Sequence, residues 1–226
     1  MTDPQVERAL EHGNEHIHEH VDEPAGAEPF VPRTTSIPAL SEAVQQCRGC
    51  ELYRDTTQAV FGEGSKRSRL LLVGEQPGDQ EDRQGHPFVG PAGRVLWRCL
   101  EESGIDRSQV YVTNAVKHFK HETRGKRRLH KRPSNDEIEA CHPWLAAELR
   151  AVRPAVIVAL GATAARAVLG RQTSIGSNRG RPLERDGIPV IVTYHPSAAL
   201  RDRDAARQIR DAITDDLVAG WRLADR

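Results

Sequence analysis

Four short runs of the chain are almost continuously apolar: residues 69–74, 110–116, 155–160 and 189–194. Each is rich in Val, Ile or Leu, the pattern of strands buried on both faces of a parallel sheet. Elsewhere the apolar positions recur at helical spacing, over residues 92–103, 135–152, 163–169 and about 204–223. Ser134 with Glu137 makes a capping box at the start of the second of these. Ser41 is placed to cap a short helix leading into Cys47-Arg-Gly-Cys50. Strands alternating with helices predict an α/β domain: a three-layer sandwich around a central, mainly parallel four-stranded sheet. Sites in such sheets form at the carboxyl ends of strands. Three polar clusters fall there, at residues 74–79, 114–120 and 195–197. No internal repeat is present.

The first 35 residues break this pattern. They hold few aliphatic side chains and several prolines, and are expected to form a disordered tail preceding a domain over residues 36–226. Four histidines in the tail (His12, His16, His18, His20) could bind metal, although a solvated tail is the favoured account of them. The charge divides along the same boundary. Residues 1–35 carry eight acidic and two basic groups, so a chain of 32 and 32 leaves 24 acidic and 30 basic groups on the body. A net charge of zero therefore hides a body of +6 and does not argue against an acidic partner such as DNA. No apolar run approaches the roughly 20 residues of a membrane helix. The polar, acidic N-terminus does not resemble a signal peptide. The expectation is a cytoplasmic monomer whose four cysteines are thiols or metal ligands.

The first polar cluster is Gly74-Glu-Gln-Pro-Gly-Asp-Gln-Glu81, followed by Gly85-His-Pro-Phe-Val-Gly-Pro-Ala-Gly93. It lacks the Lys-Ser/Thr of a phosphate-binding loop and the glycine spacing of a dinucleotide site. Its acids, Glu75 and Asp79, are placed to stabilise positive charge or activate a nucleophile. The second cluster opens a basic segment, 117–132, with eight Lys or Arg against one acid, Glu122. Leaving a strand end, such a loop is positioned to meet phosphates. Lys126, Arg127, Arg128 and Lys131 are the candidate contacts, and His130 lies among them. The third cluster, His195-Pro-Ser197, offers a hydrogen-bond donor or a turn cap. Cys47 and Cys50 have metal-ligand spacing, Cys141 lies on the 135–152 helix, and Cys99 reads as a small core residue. Spacing alone leaves zinc and an iron–sulfur cluster both open.

Taken together, Gly74-Glu-Gln-Pro-Gly-Asp79, Pro87-Phe-Val-Gly-Pro-Ala-Gly93, Asn114-Ala-Val-Lys117, Ala140-Cys-His-Pro-Trp144 and His195-Pro-Ser197 resemble the iron–sulfur uracil-DNA glycosylases, family 4 and its relatives. The resemblance spans roughly residues 47–221. Gln76, the run Asp79-Gln-Glu81 and the longer basic loop ending in Lys126-Arg-Arg-Leu-His130 depart from ordinary family 4 enzymes and resemble the UdgX branch. The family's usual cysteine after Asn-x-x-Lys is replaced by His118. The resemblance implies a [4Fe–4S] cluster held by Cys47, Cys50, Cys141 and His118. It also implies a uracil pocket in which Phe88 stacks on the base, with Gln76, Asn114 and His195 as polar partners. Glu75, with Asp79, would steady the sugar cation and Ser197 would contact DNA. In the UdgX branch the histidine corresponding to His130 bonds covalently to the sugar after uracil leaves.

Two other readings make different predictions. A conventional multiple-turnover glycosylase would use water in place of His130. A non-catalytic iron–sulfur DNA-binding module would have no use for Glu75, Asn114 and His195 together.

Overall fold

The computed structural model describes residues 26–225. Among them the helices are α1 (Ile37–Ala43), α2 (Asp79–Gln84), α3 (Pro91–Glu102), α4 (Asn135–Val152), α5 (Ala162–Leu169), α6 (Ile175–Asn178), α7 (Ala198–Arg201) and α8 (Ala206–Ala224). The strands are β1 (Leu70–Gly74), β2 (Val110–Asn114), β3 (His121–Arg124), β4 (Arg127–His130), β5 (Val156–Leu160), β6 (Pro182–Arg185) and β7 (Ile188–Thr193). The main sheet has the order β2-β1-β5-β7-β6, with its first four strands parallel.

Period-2 alternation along the central strands divides the core into two layers. Leu71, Val73, Tyr111, Ile157, Ala159, Val190 and Val192 face a layer that includes Leu40 of α1, Trp144 and Leu145 of α4, and Ala164 and Val168 of α5. Leu70, Leu72, Val112, Val158 and Ile191 face Leu96 and Leu100 of α3 and Ile213 and Leu217 of α8. A sheet covered on both faces needs apolar residues at every position, hence the continuous runs in the sequence. The expected three-layer α/β arrangement is present. The capping box also forms, with Ser134 Oγ accepting from the Glu137 amide and the Glu137 carboxylate accepting from the Ser134 amide.

Four local expectations need correction. The sheet has five strands, because β6 adds an antiparallel edge to β7 through an Asp186-Gly187 turn with positive φ at both residues. The basic segment is no loop: β3 and β4 form an antiparallel hairpin, turning at Gly125 (φ +58°) and Lys126. Its almost wholly polar strands hid the alternation. Helix α1 is capped by Ser36, whose Oγ accepts from the Ala39 amide, and Ser41 lies inside the helix. Residues 26–35, assigned above to the tail, instead pack on the domain: Ala27 is buried and its amide donates to Ala140 O (2.8 Å). The tail histidines His12, His16, His18 and His20 lie outside the described residues.

Candidate functional site

The carboxyl ends of β1, β2 and β7 meet the β3–β4 hairpin around a cleft of about 640 Å³. Glu75, Phe88, Asn114, His130, His195 and Arg201 line it, and Gln76 and Asp79 border it. The sequence candidates from all three strand-end clusters therefore converge on one space.

Its floor depends on two glycines. A Cβ on Gly74 would lie 2.3 Å from Asn114 Oδ1 and 2.6 Å from the Phe88 ring. A Cβ on Gly93 would lie 1.8 Å from Phe88 O. Phe88 itself adopts φ +55°, unfavourable for a bulky residue, and Trp97 Nε1–H donates to its carbonyl (2.9 Å). The buried Phe88 ring thus forms a fixed apolar wall. Asn114 is buried, yet its side-chain amide makes no hydrogen bond to another described residue, leaving a donor and an acceptor for a ligand.

The tautomer of His195 follows from its partners. The Ser197 amide donates to Nδ1 (3.2 Å), and Ser197 Oγ lies 2.8 Å from the same atom. Nδ1 is therefore an acceptor and Nε2 carries the proton. Burial, with the charges of Arg201 and His130 adding to it, pushes the His195 pKa down to about 4. The ring is neutral at physiological pH, and its remaining N–H can donate without being an acid. Ser197, expected at DNA, spends its amide and hydroxyl on this ring.

Glu75 follows β1. Its Oε2 accepts from Thr163 Oγ1, while His130 Nε2 lies 3.4 Å from Oε1. Burial lowers the pKa of His130; Glu75 opposes this and Arg201 adds to it, with a downward result. The imidazole is half exposed and favours the neutral, nucleophilic form.

The hairpin that carries His130 is fastened at its root. Gln76 Nε2 donates to Lys120 O (3.1 Å) and Lys131 O (2.9 Å), and Gln76 Oε1 accepts from the Lys120 amide (3.0 Å). The side chain that the sequence assigned to uracil is thus committed to the hairpin backbone. Arg128, expected on phosphate, instead turns inward: Nε contacts Asp79 Oδ1 and Nη1 contacts Asp82 Oδ2, each at 2.6 Å. Two carboxylates hold it more firmly than a solvated phosphate contact would. Burial acts to raise the Asp79 pKa, but the bonds from Arg128 and Arg83 outweigh it and hold the carboxyl below its usual value. Asp79 therefore anchors the hairpin through Arg128. Lys126 and Arg127 are exposed near the hairpin turn, whereas Lys131 is exposed but paired with Glu122 (2.5 Å).

Cys47, Cys50 and Cys141 form a separate group joined to the cleft by Lys117. Lys117 Nζ donates to Asn114 O (2.8 Å), and the Lys117 amide donates to Cys141 Sγ (3.3 Å). Trp144 Nε1–H donates to Cys47 Sγ (3.2 Å). Burial raises the Cys50 thiol to about 11 and the Cys141 thiol to about 12, and Cys141 also feels the charges of Cys50 and Cys47. His118 is buried and follows Lys117 directly. Among the described residues no three His, Cys, Asp or Glu side chains converge as ligands of a single ion do. A multi-iron cluster sits between its ligands and does not require such convergence. Three grouped sulfurs, two already receiving N–H bonds, fit that donor set. Cys99 belongs elsewhere, buried between α3 and α8.

Sequence reasoning missed Thr163, Arg132, Arg201 and Leu200. Leu200 is 47% exposed and the one exposed large hydrophobic among the described residues, adjacent to Arg201 at the cleft. Its neighbour His195-Pro-Ser197 was a signal; Thr163, within a helix of alanines, gave none.

This fold, with its cleft at the strand ends, belongs to a known class: residues 61–218 match the uracil DNA glycosylase superfamily model, and the chain belongs to that superfamily. More narrowly, it is 41% identical over 180 residues to the type-4 uracil-DNA glycosylase of Thermotoga maritima, covering 79% of this chain and 89% of the relative. It is 36% identical to the type-4 uracil-DNA glycosylase of Sulfurisphaera tokodaii, covering 73% of this chain and 76% of the relative. A type-5 uracil-DNA glycosylase of Pyrobaculum aerophilum is 32% identical, over 59% of this chain and 63% of the relative.

Proposed function

We propose that the protein, acting as a monomer, excises uracil from DNA and that His130 then captures the sugar. A base within a duplex is sheltered, so it must be extruded into the cleft, at a cost of a few kcal/mol. Phe88 offers the stacking wall, and the free amide of Asn114 suits the N3–H and O4 edge of uracil. The exposed apolar side chain of Leu200, beside the cleft, suits filling the gap left in the base stack. Lys126 and Arg127 suit phosphates.

Breaking the C1′–N1 bond sends its electron pair to uracil. The neutral His195 Nε2–H donates to O2 as negative charge develops there. The Glu75 carboxylate faces the sugar cation. A lone pair of neutral His130 then forms the N–C1′ bond. Overall one proton moves from the imidazole to uracil, leaving an N-glycosyl histidine. The single observation that carries this reading is His130 Nε2 standing 3.4 Å from Glu75 Oε1 in the cleft that Phe88, Asn114 and His195 line. A [4Fe–4S] cluster on Cys47, Cys50, Cys141 and His118 would supply cross-linking of these segments and not an electron.

A second reading rests on the type-4 relatives: water, held by Glu75, attacks in place of His130, and the enzyme turns over. The same geometry fits both. A uracil-containing oligonucleotide incubated with the protein and run on a denaturing gel separates them. Capture gives a heat- and detergent-resistant adduct that His130→Ser abolishes while uracil release continues. Uracil release with no adduct supports water. No uracil release refutes both.

A further inference from the structure

Glu75 has two oxygens with different neighbours, and the difference traces to Thr163. Oε1 faces His130 Nε2 (3.4 Å), whereas Oε2 accepts from the Thr163 hydroxyl. Arg132 Nε–H donates to Thr163 Oγ1 (3.0 Å). A hydroxyl carries one hydrogen. The arginine N–H occupies one of the oxygen's lone pairs and can accept nothing, so the hydroxyl hydrogen turns to the carboxylate. Arg132 Nε itself stays 3.8 Å from Oε2, so the hydroxyl makes the closer contact. Thr163 is 2% exposed and sits in the first turn of α5, after Gly161, where a Cβ would press on His195 Cβ at 3.0 Å. Arg132 leaves the hairpin root two residues beyond His130.

From this chain of contacts we infer that Thr163 is a positioning residue for excision, acting through Glu75. It ties down one carboxylate oxygen so that the other is presented to the sugar, and Arg132 sets the direction of its hydroxyl. The inference rests on the proposed role of Glu75 and does not depend on whether His130 or water ends the reaction. Without the hydroxyl the carboxylate is free to rotate about its last bond, and charge stabilisation at the reacting centre loses its fixed geometry.

The test uses the full chain and single-turnover release of uracil from an oligonucleotide, with binding measured separately on the same DNA. Thr163→Val removes the hydroxyl and keeps the shape. The first-order rate at saturating protein should fall about 10- to 100-fold, as expected for losing a hydrogen bond to a charged group, while DNA affinity stays within about twofold. Thr163→Ser should restore the rate. Arg132→Ala, on the surface and no threat to folding, should lower the rate less than Thr163→Val. It decides the case if Thr163→Val does not fold. An unchanged rate in Thr163→Val, equal impairment in the Ser and Val variants, or an unchanged rate in Arg132→Ala would overturn the inference. If the wild-type protein releases no uracil, the proposed function fails instead, so the two failures are distinct.

Discussion

Replacing Lys117 with Met tests the ion pair that joins the cleft to the cysteines. Lys117 Nζ and Glu148 Oε2 are 2.5 Å apart and both side chains are 0% exposed. Glu148 also accepts from the Gly62 amide (3.0 Å), Tyr111 OH (3.0 Å) and Thr113 Oγ1 (2.9 Å). Losing the ammonium leaves a buried carboxylate with three neutral donors and no counter-charge. Stranding one member of a buried pair costs about 3–5 kcal/mol, against a total stability of roughly 5–15 kcal/mol for most domains. With a urea slope of about 2 kcal/mol per molar, the midpoint should drop by roughly 1.5–2.5 M. The assay is urea unfolding followed by circular dichroism, on preparations with equal iron content. Adding Glu148→Gln to Lys117→Met removes the stranded charge while keeping an acceptor for Gly62 N–H. It should recover more than half of the loss. A single-variant shift below about 0.5 M, or a double variant no better than the single, would refute the argument.

Further outcomes follow from the site. His195→Asn should cut uracil release about 10²- to 10³-fold, as for an oxyanion-hole donor. Because burial depresses the His195 pKa to about 4, its contribution to stability is fully present above the ordinary value of 6.5 and is lost as pH falls toward 4. The slope of unfolding free energy against pH across that window should therefore be shallower in His195→Asn. Arg127→Ala should reduce the salt dependence of DNA binding by about one phosphate contact. Arg128→Ala should leave that slope unchanged while lowering the unfolding midpoint, because its partners are Asp79 and Asp82. Leu200→Ala should slow excision from duplex DNA more than from single strands in a paired rate measurement.

The strands and long helices were legible because burial on both faces leaves a continuous apolar signature, as at residues 70–74 and 156–160. Glu75, Asn114 and His195 were legible because polar groups at strand ends are conspicuous against such runs. The β3–β4 hairpin was not, since seven of its eight strand residues are polar, half of the eight charged, and a two-stranded ribbon buries too little to impose alternation. Strand β6 was missed as well, because its four residues alternate between exposed and half-buried and carry a single aliphatic side chain besides Pro182. Gln76 and Arg128 have partners within the chain that their sequence did not reveal, for a common reason. Residue type shows what a side chain can bind, while only the folded chain shows that a backbone or a carboxylate is nearer than the ligand. Thr163 needed three dimensions altogether, because its partners lie 31 and 88 positions away.

His130 pairs with His121 at the open end of the hairpin, whereas Arg124 pairs with Arg127 at its turn. The histidine is thus near the pivot of a lever and the arginines near its tip. Were the tip to swing against a phosphate backbone, a residue beside the fulcrum would sweep a much smaller arc. Such an arm would follow DNA of varied shape while the aim of the half-exposed ring hardly changed. Lengthening or shortening the hairpin at Gly125 and Lys126 would alter reach along the DNA and leave that aim intact.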